Sequence, residues 1–292
     1  MKISKFKNSD DAVVGIIVAI LLIGLIILVI SIIQTVFIPN WMKQIEAEHM
    51  DDVAGQFSQL KFAIDIQSSL QRRDLPVSVP VTIGNKQFPI LQSSQSFGRL
   101  DIIDNAGYML FGNTTNSTII NFGDIIFESY NSYFLDQFYI YECGSIIVSQ
   151  DEGNIITVKP DFSYEFDDPD LSFNFTIVNI SDVGNKNSAS GYGTYPIRVE
   201  YDNIENEILP ENITIIRIFS DYPESWHLYF KTILNDIGLS SDLIDDVLIK
   251  SGNLVEIDLS EIISSHDPIT DIDIDVQTIS VLAQIAPGWV EE

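Results

Sequence analysis

Cysteine, histidine and basic residues are scarce in this 292-residue chain, and each scarcity removes a class of protein. The one cysteine, Cys143, permits no intramolecular disulfide, so the fold rests on burial instead of covalent staples. The only histidines are His49, His227 and His266. There is no zinc-ligand spacing, no phosphate-binding Gly-rich loop and no Gly-x-Ser-x-Gly elbow. Basic residues are unevenly missing. Up to Arg73, seven basic and seven acidic residues cancel; beyond it, eight basic residues face 35 acidic ones, so the whole net charge of −27 lies there. Such a polyanion repels nucleic acid phosphates, which excludes nucleic acid as a partner, and it reads as an acidic solvated surface.

What is present in excess stands near the start. Ala12 to Met42 carries no charge, and Ala12 to Ile38 is almost entirely apolar. As a helix this strongly apolar part spans about 40 Å, against a hydrocarbon core of about 30 Å. A secretory signal has a shorter apolar region and a small-x-small site after it. "QTVFIPNW" offers no such site, so the run is expected to be retained as a single transmembrane helix. Lys2, Lys5 and Lys7 precede it, whereas only Lys43 follows closely, amid Glu46, Glu48, Asp51 and Asp52. The positive-inside rule then places the N-terminus in the cytoplasm and the rest outside. Five Asn-x-Ser/Thr sequons, at Asn113, Asn116, Asn174, Asn179 and Asn212, all fall on the outer side as candidate glycosylation sites.

Helical periodicity continues past the membrane. Ile38, Met42, Ile45, His49, Val53, Phe57, Leu60 and Ile64 form a stripe with steps of three or four. Lys43, Gln44, Glu46, Asp51, Gln59 and Gln67 are assigned to the opposite, solvated face. Pro39 predicts a kink at the membrane exit, Trp41 suits the interface, and residues 72–76 end the helix. The period then becomes two. Strands are predicted at "VSVPVTIG", "DIIDNAGYMLFG", "FYIYECGSIIVSQ", "NIITVKP", "LSFNFTIVNIS", "TYPIRVEY", "NITIIRIF", "LVEIDLS" and "DIDIDVQTISVLAQI", giving an antiparallel sandwich-like head. One helix interrupts them, with Asp221 as N-cap, Glu224 completing a capping box, a stripe through Trp226, Phe230, Ile233 and Ile237, and Gly238 as terminator. A shorter helix is expected over Asp242 to Ile249. The fold class is therefore α+β: residues 1–11 a basic leader, 12–38 the span, 39–73 an amphipathic helix, and 74–292 a β-rich acidic head.

A short basic leader, a two-part N-terminal helix and a β-rich head together resemble the type IV pilin-like proteins. "NSDDAVVGIIVAILLIG" is similar to the N-terminal signature of their archaeal branch. The resemblance implies that a prepilin-peptidase-type enzyme removes the leader on the cytoplasmic side, with Ser9 before the cut and Asp10 opening the mature subunit. It further implies that the apolar helix rests in the bilayer and then packs against identical or related subunits in a surface filament. The Ser-Pro often found after Ala-Val is absent, and Val14 stands fifth after the cut in place of an acid. The alternative is a single-pass surface or envelope-associated binding module that never polymerises.

No catalytic constellation or cofactor site is expected. Glu46 and His49 have the Glu-x-x-His spacing of di-metal bundles; such a site needs a second copy and two further acids from other helices, and His49 falls in the packing stripe. Cys143 in an alternating strand reads as a small buried residue. Asp271, Asp273 and Asp275 alternate with isoleucine on one strand face and are weak calcium candidates together with Asp267; a wet acidic face is the simpler reading. "DDPD" at 167–170 reads as a turn.

Overall fold

The computed structural model describes residues 9–84, 96–167, 169–184, 186–265, 269 and 271–285. The leader lysines Lys2, Lys5 and Lys7, and also His266, Asp267 and Asp168, lie outside the described residues. The chain begins as α1 (Ser9–Ile32), passes through a π-helical turn (Ile33–Phe37) and continues as α2 (Ile38–Leu70). Pro39 explains the turn. It has no N–H for an intrahelical bond and crowds the preceding turn, and the backbone answers with a wider loop in which the Ile38 N–H reaches the Ile33 carbonyl. Gln71, in a left-handed conformation, ends the helix.

The strands follow in the order β1 (Val77–Thr82), β2 (Phe97–Gly112), β3 (Ser117–Tyr130), β4 (Phe138–Glu142), β5 (Ser145–Gln150), β6 (Gly153–Val158), β7 (Phe162–Asp167), β8 (Asp170–Asp182), β9 (Ser188–Gly191), β10 (Thr194–Asn206) and β11 (Ile215–Phe219). Then come α3 (Pro223–Ile237), α4 (Ser241–Val247), β12 (Leu248–Ser251), β13 (Leu254–Asp258), α5 (Leu259–Ser265) and β14 (Asp271–Ile285). One sheet runs β1-β10-β14-β8-β7; the other runs β12-β13-β11-β2-β3-β4-β5-β6, with β9 also pairing β2. The class is α+β. The pairing is antiparallel except between β8 and β14, which run parallel from Asp170 beside Asp271 to Asp182 beside Ala283. A parallel pair needs a long crossover, and the chain between these strands supplies one.

Two cores share the long strands. In the proximal core, Met50, Val53, Phe57, Leu60 and Ile64 of α2 pack on Val81, Leu100, Phe127, Ile180, Val199 and Val281. In the distal core, Trp226, Phe230, Ile233 and Ile237 of α3 pack on Phe111, Phe122, Phe175 and Ile218. Strand β3 serves both. Ile120 and Phe122 enter the distal core, while Ile125 and Phe127, on the other face, enter the proximal one. Where the faces exchange, Gly123 lets the sheets approach: a Cβ there would lie 2.1 Å from the Ile180 carbonyl oxygen.

Several expectations are corrected. "FYIYECGSIIVSQ" is a hairpin, not one strand. Cys143 and Gly144 both have positive φ, 50° and 78°, which suits the tight turn between β4 and β5. The sequence pattern predicts no strand at β3, because Asn121, Gly123 and Asp124 interrupt its apolar run. The cap of α3 is Tyr222 without a side-chain bond; Asp221 instead accepts from Asn253, and Glu224 pairs with Lys250. The shorter helix stops at Val247, and Leu248 to Ser251 form an edge strand paired with β13. Glu46 and Gln67 are buried, not solvated, whereas Ile45 is only half-buried. The buried face of α2 is thus rotated toward Glu46, Met50 and Ala63.

Candidate functional site: the N-terminal helix and its junction with the head

From Val13 to Phe37 no side chain is buried. Nineteen large apolar residues face outward, from Leu21 at 68% exposure to Ile33 at 37%. The stretch is apolar on all sides and long enough to cross a membrane. Only Gly15, Ala19, Gly24, Ser31, Gln34 and Thr35 interrupt it, and the Thr35 hydroxyl donates back to the Ser31 carbonyl, 2.8 Å away. Burial begins at Ile38, immediately after this run.

The junction is held by polar side chains on the buried face of α2. The Glu46 carboxylate accepts three backbone N–H groups from the β3–β4 loop: Ser132 at 3.0 Å, Tyr133 at 2.7 Å and Phe134 at 2.6 Å. One turn on, His49 Nε2 lies 2.8 Å from the Thr82 carbonyl oxygen. A carbonyl only accepts, so Nε2 carries the proton and the buried Nδ1 keeps a bare lone pair. Burial lowers the pKa of this imidazole, against the raising effects of the Thr82 carbonyl, Asp52 and Glu46. Gln56 accepts the Thr82 N–H at 2.8 Å, and Gln67 donates to the Leu75 carbonyl. The Glu-x-x-His pair thus fastens a loop and an edge strand to the helix. Among the described residues no group of three acidic, His or Cys side chains is arranged to hold a metal ion.

Deeper in the head, Asp124 of β3 and Glu142 of β4 stand opposite each other in register, and both are buried. Glu142 Oε1 accepts from the Ser220 hydroxyl at 2.7 Å and from the Trp226 indole N–H at 2.5 Å. Burial pushes the Glu142 carboxyl up to about 7, and burial with the Glu142 charge pushes Asp124 well above the usual carboxylate range. Placed opposite each other and away from water, the two carboxyls disfavour each other's second negative charge. Neither Glu46 nor this pair was singled out as a buried tie in the sequence. The available signal was a lone acid inside an apolar run, in "FGDIIF" and "IYECG".

The other residues of interest fall as follows. Helix α1 starts at Ser9, so the candidate cut between Ser9 and Asp10 lies at its first turn. Asn116, Asn174 and Asn212 are exposed, and Asn179 is half-buried. Asn113 is half-buried, and its amide donates to the Glu211 and Asn212 carbonyls at 3.1 and 3.2 Å. Asn113, Asn116 and Asn212 gather at the turn beyond β2. Asp271, Asp273 and Asp275 are all exposed on one face of β14. Asp167 faces Asp170 across the β7–β8 hairpin. Cys143 is buried, and burial raises its thiol pKa. No known protein family matches the chain, and no match is found among curated proteins or solved structures.

Proposed function

We propose that this protein is a membrane-anchored, outward-facing, pilin-like structural subunit of an archaeal cell-surface filament, or a minor component of one. The observation that carries the reading is the continuity of a helix that is apolar and uncovered from Val13 to Phe37 and locked into an acidic β-rich head from Ile38 onward. Nineteen residues of the Leu, Ile, Val and Phe types, each favouring the membrane by roughly 0.3–0.6 kcal/mol at a helix centre, give about 6–11 kcal/mol for insertion. The same surface packs against neighbouring helices when subunits assemble. The basic leader sets the orientation and is removed between Ser9 and Asp10. The sequons then face the exterior.

Mass spectrometry of the mature N-terminus tests this reading. A chain opening at Asp10 is expected. An intact Met1 contradicts processing and leaves the non-polymerising surface module, which the absence of an acid at Val14 favours.

A further inference from the structure

We infer that the outward face of α2 seats a helix of a different protein, one whose own face is basic on the membrane side and apolar above it. The inference rests on the anchor reading, which fixes the height and direction of α2.

In its last turns α2 is apolar on two faces, and the head covers one of them. Leu60, Ala63 and Ile64 are buried in the head. On the other side Phe62, Ile66 and Leu70 stand one turn apart, at 65, 37 and 53% exposure. The same face continues toward the membrane. Glu48, Asp52, Gly55, Gln59, Phe62 and Ile66 follow in steps of four and three, and all are exposed. That alternation is the 3.5-residue seam along which one helix receives the side chains of another. It runs for about 27 Å. At Gly55 a Cβ would meet nothing within 4 Å, so the seam has a gap there that takes a partner's side chain.

Height excludes lipid as the cover. Phe62 lies about 37 Å of helix beyond Phe37, where the bare span ends. Charge excludes a second copy. Two identical chains anchored in one membrane stand parallel at one height, so Glu48 and Asp52 of each would face their like across the seam, with Asp51 beside them. Nearby bases are engaged elsewhere: Lys61 pairs with Asp65 at 3.0 Å, and Arg72 and Arg73 pair with Asp74 and Asp202 at 2.8 and 3.2 Å. Glu48 accepts from the neutral Gln44 amide at 2.9 Å, which leaves its charge uncompensated. The complement is a helix with lysine or arginine level with Glu48, Asp51 and Asp52, and with leucine-type side chains level with Phe62 and Ile66.

The test uses the full chain in phosphatidylcholine nanodiscs. The probe is a fluorescent helical peptide of about four heptads, with lysine at the seam positions of its first half and leucine at those of its second. Anisotropy is expected to show binding that weakens about tenfold when Phe62→Ser and Leu70→Ser are combined. The acids remain in that variant, so an unchanged affinity would mean attraction to a polyanion alone and overturns the inference. Glu48→Lys combined with Asp51→Lys and Asp52→Lys is expected to abolish binding. Phe62→Cys chains sharing one vesicle are expected to form disulfide dimers no faster under oxidation than Thr114→Cys chains, whose exposed thiol sits in the β2–β3 turn. Faster dimer formation at 62 puts a second copy on this face and overturns the inference. Absence of binding by chain held in nanodiscs overturns it too and leaves the anchor standing. A chain that does not enter nanodiscs overturns the anchor reading and this inference with it.

Discussion

At Glu46, one buried carboxylate ties three N–H groups of a partly exposed loop to the helix. Glu46→Ala removes hydrogen bonds to a charged group, which are worth about 1.5–3 kcal/mol. A loss of about 3 kcal/mol on denaturation is therefore expected, with faster amide exchange at 132–134. The Asp124–Glu142 pair makes a different kind of claim. Both carboxyls titrate above their unfolded values, so the folded state binds more protons than the unfolded one. The pair's contribution is full below about pH 4 and falls as pH rises toward about 7, where Glu142 releases its proton. By Glu142 alone the fall amounts to up to about 3 kcal/mol. Urea midpoints are expected to decline from pH 5 to pH 8, and Asp124→Asn should flatten the slope by removing one of the two groups whose pKa burial raises. His49 acts in the opposite sense, because a buried neutral imidazole must be charged as pH falls. The comparison with Asp124→Asn separates the two effects.

Among the elements, β3 bears the most constraint, because it faces a core on each side. Gly123→Ala places a methyl carbon against the Ile180 carbonyl and is expected to destabilise the head by more than about 2 kcal/mol. Calorimetry would read this as a lowered Tm, and an unchanged Tm would contradict the close crossing of the sheets. The strand also shows what the sequence conceals. Residues such as Phe173, Phe175, Val199 and Ile257 alternate with polar neighbours, so their strands are legible from a period of two. In β3, the close approach at Gly123 and the buried acid Asp124 are imposed by a second sheet and by a partner 18 residues away in sequence. Local periodicity carries neither. The stripe of α2 was legible for the same reason as the strands, yet Glu46 was placed on the wet face because its partners are backbone N–H groups of a distant loop. The parallel pairing of β8 with β14 is a long-range choice of the same kind. The long apolar helix and the overall α+β class needed no such partner to be read.

On the scale of the whole molecule, three regions stack along one axis: a bare apolar helix, a core in which that helix packs between two sheets, and a second core closed by α3, α4 and α5. The rigid middle carries the helix's direction into the head, and the acidic surface keeps the far end solvated. Membranes from cells making the full chain, washed with alkaline carbonate and examined by intact mass, test the account at its base. The account expects the protein to remain in the membrane pellet with residues 13–37 still attached. A soluble chain beginning after Phe37 would show that the helix is a discarded signal, and the anchoring account would be contradicted.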